Sequence, residues 1–548
     1  MFSVAFRNKA SHALWRTSRT IPRQSHLVSI ASAAATTTHR AAFAYPARHW
    51  PSPSSLSYST SSSNSQSSAE SDTTAATDDA SSTRSKSKKE SAGGKYNLYG
   101  DEWEDSVDFT IKSFEDLPHR MFGVNQHMII NYELKEALRI MLRQFNAPIV
   151  YCFAYGSGVF PQGDLGRSIS EAEFRSVHPK PPPALVKAQK GSPKMIDFIF
   201  GVTHTQHWHS INIKQHRNHY SGIASLGSGL VSSVQDMGAG VYFNPYIEMN
   251  GMLIKYGVTS IENLVRDLST WDNLYLAGRL QKPVKILRDH PQVRLANQHN
   301  LIAALRTAML LLPPDFTESE LYGTIAGLSY MGDPRMALPT ENKNKVSNIV
   351  NNNMVHFRRL YAPLVKTLPN VAFTGQCRLD DENWVLDEES DNRLQQDMDP
   401  VKRGNMVRRL PKSFRSRLYF QYQKKFAIPR GEFNQMMQAA ADDAATSSST
   451  KRRLGGEFEQ RIARDDPKEL QGLVRQVIRQ TVNWPSTTQS IKGIIMGGWS
   501  RTVRYMKEKF EKWGQGRKKD KESAKSSGAK SAREVKPEKS EKDSDSGL

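Results

Sequence analysis

One carboxylate sets the tightest limit on how this chain can fold. Asp197 stands inside Met195-Ile-Asp-Phe-Ile-Phe-Gly-Val202, an otherwise apolar stretch that reads as a buried strand. A lone carboxylate is expensive to bury. It belongs at a strand end, holding a divalent cation or pairing with a base such as Lys194. An earlier apolar strand, Ala147-Pro-Ile-Val-Tyr-Cys-Phe-Ala154, runs into Tyr155-Gly-Ser-Gly158. Gly156 and Gly158 let backbone N–H groups approach a phosphate closely, and Ser157 adds a hydroxyl donor. No Gly-Lys-Ser/Thr follows, so this is not a Walker loop. Tyr155 stands two residues before Ser157, so it is not a Gly-x-Ser-x-Gly nucleophile elbow either.

Around these two features, helical and strand patterns alternate. Residues 126–145 carry apolar side chains at helical spacing, 241–243 and 247–258 read as a third and a fourth strand, and 261–268 as a helix. The pattern implies a small mixed sheet backed by helices. Residues 295–312 and 347–361 suggest a second, mostly helical unit. The most apolar run, 301–312, contains Arg306 and is far short of the roughly 20 residues that span a bilayer. It reads as a core helix. The acidic stretch 380–400 reads as an inserted loop, 410–426 as a basic aromatic helix, and 439–468 as low in complexity. Helical spacing returns over 471–513.

Two cysteines, Cys152 and Cys377, exclude a disulfide scaffold and a Cys-rich zinc module. His204, His207, His209, His216 and His219 invite a zinc reading, with His207 and His209 on one strand face. No His-Glu-x-x-His motif or cysteine pair supports it, and a structural or substrate-lining role is expected.

The net charge of +20 is concentrated at the ends. Residues 1–50 carry seven bases and no acid, the composition of a mitochondrial transit peptide. Residues 51–95, mostly Ser, Thr, Ala, Gln, Asp and Lys, cannot bury enough apolar surface to fold. Over 485–514 there are six bases and two acids, and the tail 515–548 has ten bases and seven acids. The body is left nearly balanced, which argues against a nucleic-acid-binding face. Ile491, Ile495, Trp499, Thr502, Met506, Phe510 and Trp513 recur at intervals of three and four, with Lys492, Arg501, Arg504, Lys509 and Lys512 largely off that stripe. Such a helix suits an anionic membrane surface.

A Gly-Ser loop after one strand and an acid on the next resembles the layout of the nucleotidyltransferase superfamily. The resemblance narrows with Tyr155-Gly-Ser-Gly-Val-Phe-Pro-Gln162, Ile196-Asp-Phe-Ile-Phe-Gly-Val202, His207-Trp-His-Ser-Ile-Asn212, Tyr242-Phe-Asn-Pro-Tyr246, Ile254-Lys-Tyr-Gly257 and Asp272-Asn-Leu-Tyr-Leu-Ala-Gly-Arg-Leu280. Over 115–365, and again in 410–426 and 489–513, the chain resembles the mitochondrial translocator assembly and maintenance proteins. These are the mitochondrial phosphatidate cytidylyltransferases.

The resemblance implies an α/β (α+β) architecture: a nucleotidyltransferase-fold mixed sheet with helices, a mostly helical winged-helix-like domain, and a C-terminal amphipathic helix. The corresponding boundaries are a transit peptide over 1–50, a linker over 51–108, a nucleotidyltransferase domain over 109–290 and a winged-helix-like domain over 291–375. Insertions and a connecting helix take 376–470, a membrane-contacting segment 471–514 and a disordered tail 515–548. The 380–400 and 439–468 stretches look like additions peculiar to this chain.

The implied reaction transfers CMP from CTP to phosphatidic acid, with magnesium, at the matrix side of the inner mitochondrial membrane. Gly156, Ser157 and Gly158 are expected at the triphosphate and Asp197 at the metal. Lys255, Arg279 and Lys282 are expected at phosphate oxygens. The superfamily often has a second acid two residues after the first, but Ile199 stands there. Glu248 is taken as the second metal ligand, with Asp164 and Asp236 as weaker choices. Two rival expectations are a template-free RNA nucleotidyltransferase and a non-enzymatic assembly factor for protein import.

Overall fold

The computed structural model describes residues 102–105, 110–162, 170–189, 193–337, 344–375, 377, 381–446 and 456–498. The expected transit peptide, most of the 51–108 linker, Asp164 and everything after residue 498 lie outside the described residues; within that linker Glu102–Asp105 is not disordered but a short helix, fixed because Glu104 is paired with Arg306 and Arg409.

Five strands form the first sheet, in the order β3-β4-β2-β1-β5. They are β1 (Tyr151–Tyr155), β2 (Ile196–Val202), β3 (Tyr242–Met249), β4 (Met252–Ser260) and β5 (Lys285–Arg288). β2 and β4 run parallel, and the other neighbours run antiparallel. Alternation divides the sheet cleanly. Ile196, Phe198 and Phe200 of β2 join Cys152, Ala154, Ile254 and Tyr256 in one apolar layer, closed by the helices Tyr132–Leu142 and Thr205–Gln215. The opposite face carries Phe153, Ile199 and Phe243 into the larger core. The end of that face carries Tyr155, Asp197 and Lys255, side by side in register.

The apolar stretch 247–258, expected to be one strand, contains the turn of a hairpin. Asn250 (φ 52°) and Gly251 (φ 73°) reverse the chain between β3 and β4. A bulge at Pro245 and Tyr246 interrupts the edge strand β3 opposite Lys255. Proline is tolerated there because an edge bulge needs no ladder N–H.

Pro291–Leu311 is a helix of 21 residues buried on nearly every side. Its Arg306 is not stranded: Nη2 donates to Glu104 Oε2 at 2.6 Å. No helix among the described residues is long and apolar enough to cross a membrane.

A second, antiparallel sheet, β6-β8-β7, joins Asp315–Thr317, Arg393–Gln396 and Val371–Phe373. With the helices Glu318–Gly327, Lys345–Asn351 and Met354–Val365 it makes the winged-helix-like part. The acidic stretch 380–400 is therefore not a loose insertion. Its strand β8 is the centre of this sheet, with Leu394 fully buried. Gln396 Nε2 donates to the carbonyls of Met309, Leu312 and Pro313, which cap the end of the long helix. Arg358 ion-pairs with Glu318 at 2.9 Å and donates to the carbonyls of Trp384, Asp387 and Ser390. The 439–468 stretch is likewise partly structural, since Glu457–Ala463 is a helix whose Phe458 and Ile462 enter the core.

The final described helix spans 467–498 and changes sides. Leu470, Val474, Val477, Ile478 and Val482 face the core. From Ser486 the inward line turns polar, with Gln489 and Lys492 buried, before Met496 returns to the core. Lys492, expected on the solvent side of an amphipathic helix, is only 1% exposed and donates to the carbonyls of Gln235 (2.9 Å) and Met237 (2.7 Å). The apolar line turns outward: Trp484 is 72% and Ile491 58% exposed, with Ile494 and Ile495 beside them.

Candidate active site

The glycine loop and the strand carboxylate meet. Tyr155, the last residue of β1, pairs with Asp197, and Gly156 follows at φ 78°. A side chain there would be strained, and its Cβ would lie 3.3 Å from Asp197 Oδ2. The chain then turns tightly: the N–H groups of Val159 and Phe160 both donate to the Gly156 carbonyl. At Gly158 a Cβ would fall 2.5 Å from the Met195 carbonyl oxygen, so the loop lies directly on the start of β2. On the next strand Lys255 Nζ is 3.3 Å from Asp197 Oδ1 and 4.7 Å from the centre of the Phe243 ring. The Lys255 and Asp197 side chains keep 30% and 24% of their surface open, so a solute can reach both.

A cationic wall continues from this strand end. Arg279 Nε donates to Tyr155 Oη at 3.2 Å, and its guanidinium lies 3.9 Å from the Tyr275 ring centre. Burial works against the Arg279 charge, but Tyr275 and Tyr155 outweigh it and hold the group protonated. Lys282 Nζ donates to Ser329 Oγ at 3.0 Å and also to the Gly278 carbonyl. Burial first, then Arg279 and Lys345, push the Lys282 ammonium down to about 7. Lys282 and Lys345 lie 5.1 and 5.0 Å from the centre of one ring, Tyr330. Among the described residues the acid beside this wall is Asp333, and it is engaged by Arg335. Cations so outnumber carboxylates that the wall suits a polyanion.

Asp267 builds the segment that presents these groups. Its two carboxylate oxygens accept four backbone N–H donors, from Asn273, Leu274, Leu276 and Ala277, at 2.9–3.1 Å. Burial raises its carboxyl above the usual range in spite of those donors. Asp267 is not among the site residues expected from the sequence. Its signal was an acid on the apolar side of the helix Ile261–Thr270, level with Leu264 and Leu268.

The structure thus gathers Gly156, Asp197 and Lys255 at one strand end, with Ser157 and Gly158 in the adjoining turn. Arg279 connects to them through Tyr155, and Lys282 follows one helical turn later. It does not bring Glu248 in. Glu248 shares the Asp197 face but sits exposed on the edge strand, opposite Leu253, with β4 between. Two strand spacings separate β3 from β2, about 10 Å. Asp236 ends the helix Ser228–Asp236, beside Lys492. Among the described residues no group of three or more His, Cys, Asp or Glu side chains could hold a metal by itself. A metal at Asp197 fits only with oxygens supplied by a substrate and water, which is the habit of magnesium.

His209 and His219 take structural parts, whereas His204 and His207 are exposed and line a surface cavity with Ser210, Ser228 and Ser232. His207 and His209 lie on the helix Thr205–Gln215, not on a strand, so their spacing turns them to different sides. His209 is buried between Tyr220 Oη and Gln235 Oε1, both at 2.8 Å, and His219 Nδ1 meets Tyr256 Oη at 2.8 Å.

A family model described as mitochondrial phosphatidate cytidylyltransferase matches residues 138–512. Curated proteins of that name are similar to this chain. The Xenopus laevis protein is 35% identical over 377 residues, 68% of this chain and 93% of its own length. The Schizosaccharomyces pombe protein is 42% identical over 250 residues, 45% of this chain and 58% of its own length. The Saccharomyces cerevisiae protein is 43% identical over 257 residues, 46% of this chain and 61% of its own length. The chain therefore spans less than two thirds of either yeast relative. The matched stretch contains the glycine loop, Asp197, Lys255, Arg279 and Lys282, and the chain belongs to the mitochondrial phosphatidate cytidylyltransferase family.

Proposed function

We propose that this protein transfers the cytidylyl group of CTP to phosphatidic acid, giving CDP-diacylglycerol and pyrophosphate for cardiolipin and phosphatidylglycerol synthesis. An oxygen of the phosphatidate phosphate attacks the α-phosphorus of CTP. The bond from that phosphorus to the bridging oxygen breaks, and pyrophosphate leaves with its electrons. The nucleophile is already ionised, so no strong general base is required. The work is alignment and charge neutralisation. Gly156, Ser157 and Gly158 hold the triphosphate, and Lys255, Arg279 and Lys282 face its oxygens. Asp197 is the group that would hold magnesium, which supplies charge neutralisation on the phosphates when bound.

One observation carries this reading: the Asp197 carboxylate lies against both Gly156 and the Lys255 ammonium. The same acid therefore touches the phosphate loop and a phosphate-neutralising cation. We assign the protein to the matrix side of the inner membrane as a peripheral protein. The acid-free 1–50, the mitochondrial relatives and the outward apolar line of 467–498 support that assignment.

The test is label transfer from CTP with magnesium and either phosphatidic acid vesicles or tRNA. Lipid-dependent transfer is expected, and Asp197→Asn should lower it about a thousandfold, equivalent to about 4 kcal/mol of barrier. Transfer to tRNA instead, or an Asp197→Asn protein as active as the parent, would overturn the assignment.

A further inference from the structure

Between the glycine loop and β2, residues 170–189 make a strap whose helices, Glu171–Val177 and Pro183–Ala188, frame two buried polar side chains, His178 and Gln189. The Gln189 carboxamide is fully used. Nε2 donates to the Gly158 carbonyl at 2.7 Å and to the Lys194 carbonyl at 3.0 Å. Oε1 accepts from the Lys194 N–H at 2.9 Å. The Leu253 N–H donates to His178 Nδ1 at 3.0 Å, which makes Nδ1 the acceptor. The ring proton therefore sits on Nε2, where it faces Gln189 Oε1 and the Lys194 carbonyl, both at 3.2 Å.

Each anchor is a short step from the reaction centre. Gly158 follows Ser157, Lys194 lies three residues before Asp197, and Leu253 lies two before Lys255. The strap also lies on the hairpin turn: the Lys180 N–H donates to the Gly251 carbonyl. We propose that Gln189, oriented by His178, is a positioning residue that fixes the phosphate loop, Asp197 and Lys255 at one mutual spacing. This rests on the cytidylyl-transfer reading of the site. A packing role alone would be met by an apolar side chain. A buried amide with all its hydrogen bonds made instead fixes directions as well as distances. There is no slack to absorb its loss, because Gly158 already lies against the Met195 carbonyl.

The decisive variant is Gln189→Met, which keeps the length and removes the hydrogen bonds. Misplacement of the loop by about 1 Å predicts a kcat/KM for CTP roughly a hundredfold lower. KM for phosphatidate should stay within about twofold, and the melting temperature should fall by several degrees, since the Gly158 carbonyl and the Lys194 N–H and carbonyl lose a buried partner while the main core is untouched. CTP kinetics within about twofold of the parent would overturn the proposal. So would equal losses for both substrates that follow a large fall in melting temperature. If Gln189→Met does not fold, Gln189→Glu keeps the shape and turns the donor facing Gly158 into an acceptor, with the same expected and overturning outcomes. Calorimetric titration with CTP and magnesium separates this proposal from the functional reading. A parent protein that binds CTP but ignores phosphatidate sinks the reading alone. In that case weaker CTP binding by Gln189→Met still supports the positioning role, and unchanged binding removes it.

Discussion

Lys282 joins the electrostatics of the wall to its ligand. Its ammonium is pushed down to about 7 by burial and by Arg279 and Lys345. A bound triphosphate supplies the missing negative charge and favours the protonated form. Above pH 7 the free protein has shed this proton while the complex retains it, so binding takes a proton up. CTP affinity is therefore expected to weaken as pH rises from 7 to 9, by at most about tenfold per unit. Lys282→Arg keeps its charge throughout and should flatten the profile in calorimetric titrations. An unchanged slope would show that Lys282 does not face the triphosphate. Asp197 was legible in the sequence because a carboxylate breaks an apolar strand pattern. Lys282 carries no such signal: it stands among Gln281, Pro283 and Lys285, and what sets it apart is burial beside two other cations, which only the fold supplies. Glu248 failed to join the site for a related reason. It sits on the edge strand, and how many strands lie between two residues cannot be read from a sequence pattern.

At the scale of elements, the segment 272–280 hangs on one buried side chain. Asp267→Ala would leave four backbone N–H groups without their acceptor. Unfilled buried donors cost about 1–3 kcal/mol each before relaxation, so a destabilisation of about 3 kcal/mol is expected. Urea unfolding should report it, and CTP binding should weaken as well because Arg279 and Tyr275 lose their support. A variant with parental stability would place the burden elsewhere. The first sheet was readable where strands are apolar and bounded by glycine. β5 was missed because Lys285-Ile-Leu-Arg288 is short and charged at both ends. The β3–β4 turn was missed because Asn250-Gly251 lies inside a long apolar run. β8 was hidden by the acids around it, although Leu394 and Gln396 alternate inward as a strand requires.

At the scale of the whole molecule, the question is how a protein without a spanning helix among its described residues would meet the lipid acceptor proposed for it. The helix 467–498 answers through its change of sides. Up to Val482 its apolar line is spent on the core. Beyond it, Lys492 and Gln489 hold the helix to the body by hydrogen bonds to the carbonyls of Gln235, Met237 and Val241, which leaves the isoleucines outside. Ser221 Oγ also donates to the Ile495 carbonyl, a further tie between this end of the helix and the body. Bases at 501, 504, 507, 509 and 512 follow in the sequence and add attraction to anionic lipid. Each isoleucine that enters the interface contributes about 1 kcal/mol at half exposure. Replacing Ile491, Ile494 and Ile495 together by serine should therefore weaken sedimentation with vesicles of phosphatidic acid and cardiolipin by about a hundredfold. CTP binding should be untouched, because the core-facing and body-facing lines of the helix stay intact. Trp484 provides an independent reading: its emission should shift to the blue on adding vesicles, and the shift should be missing from Trp484→Phe. If the serine variant sediments like the parent and Trp484 stays in water, the outward line is not the membrane face, and the lipid must reach the Asp197 strand end by another surface.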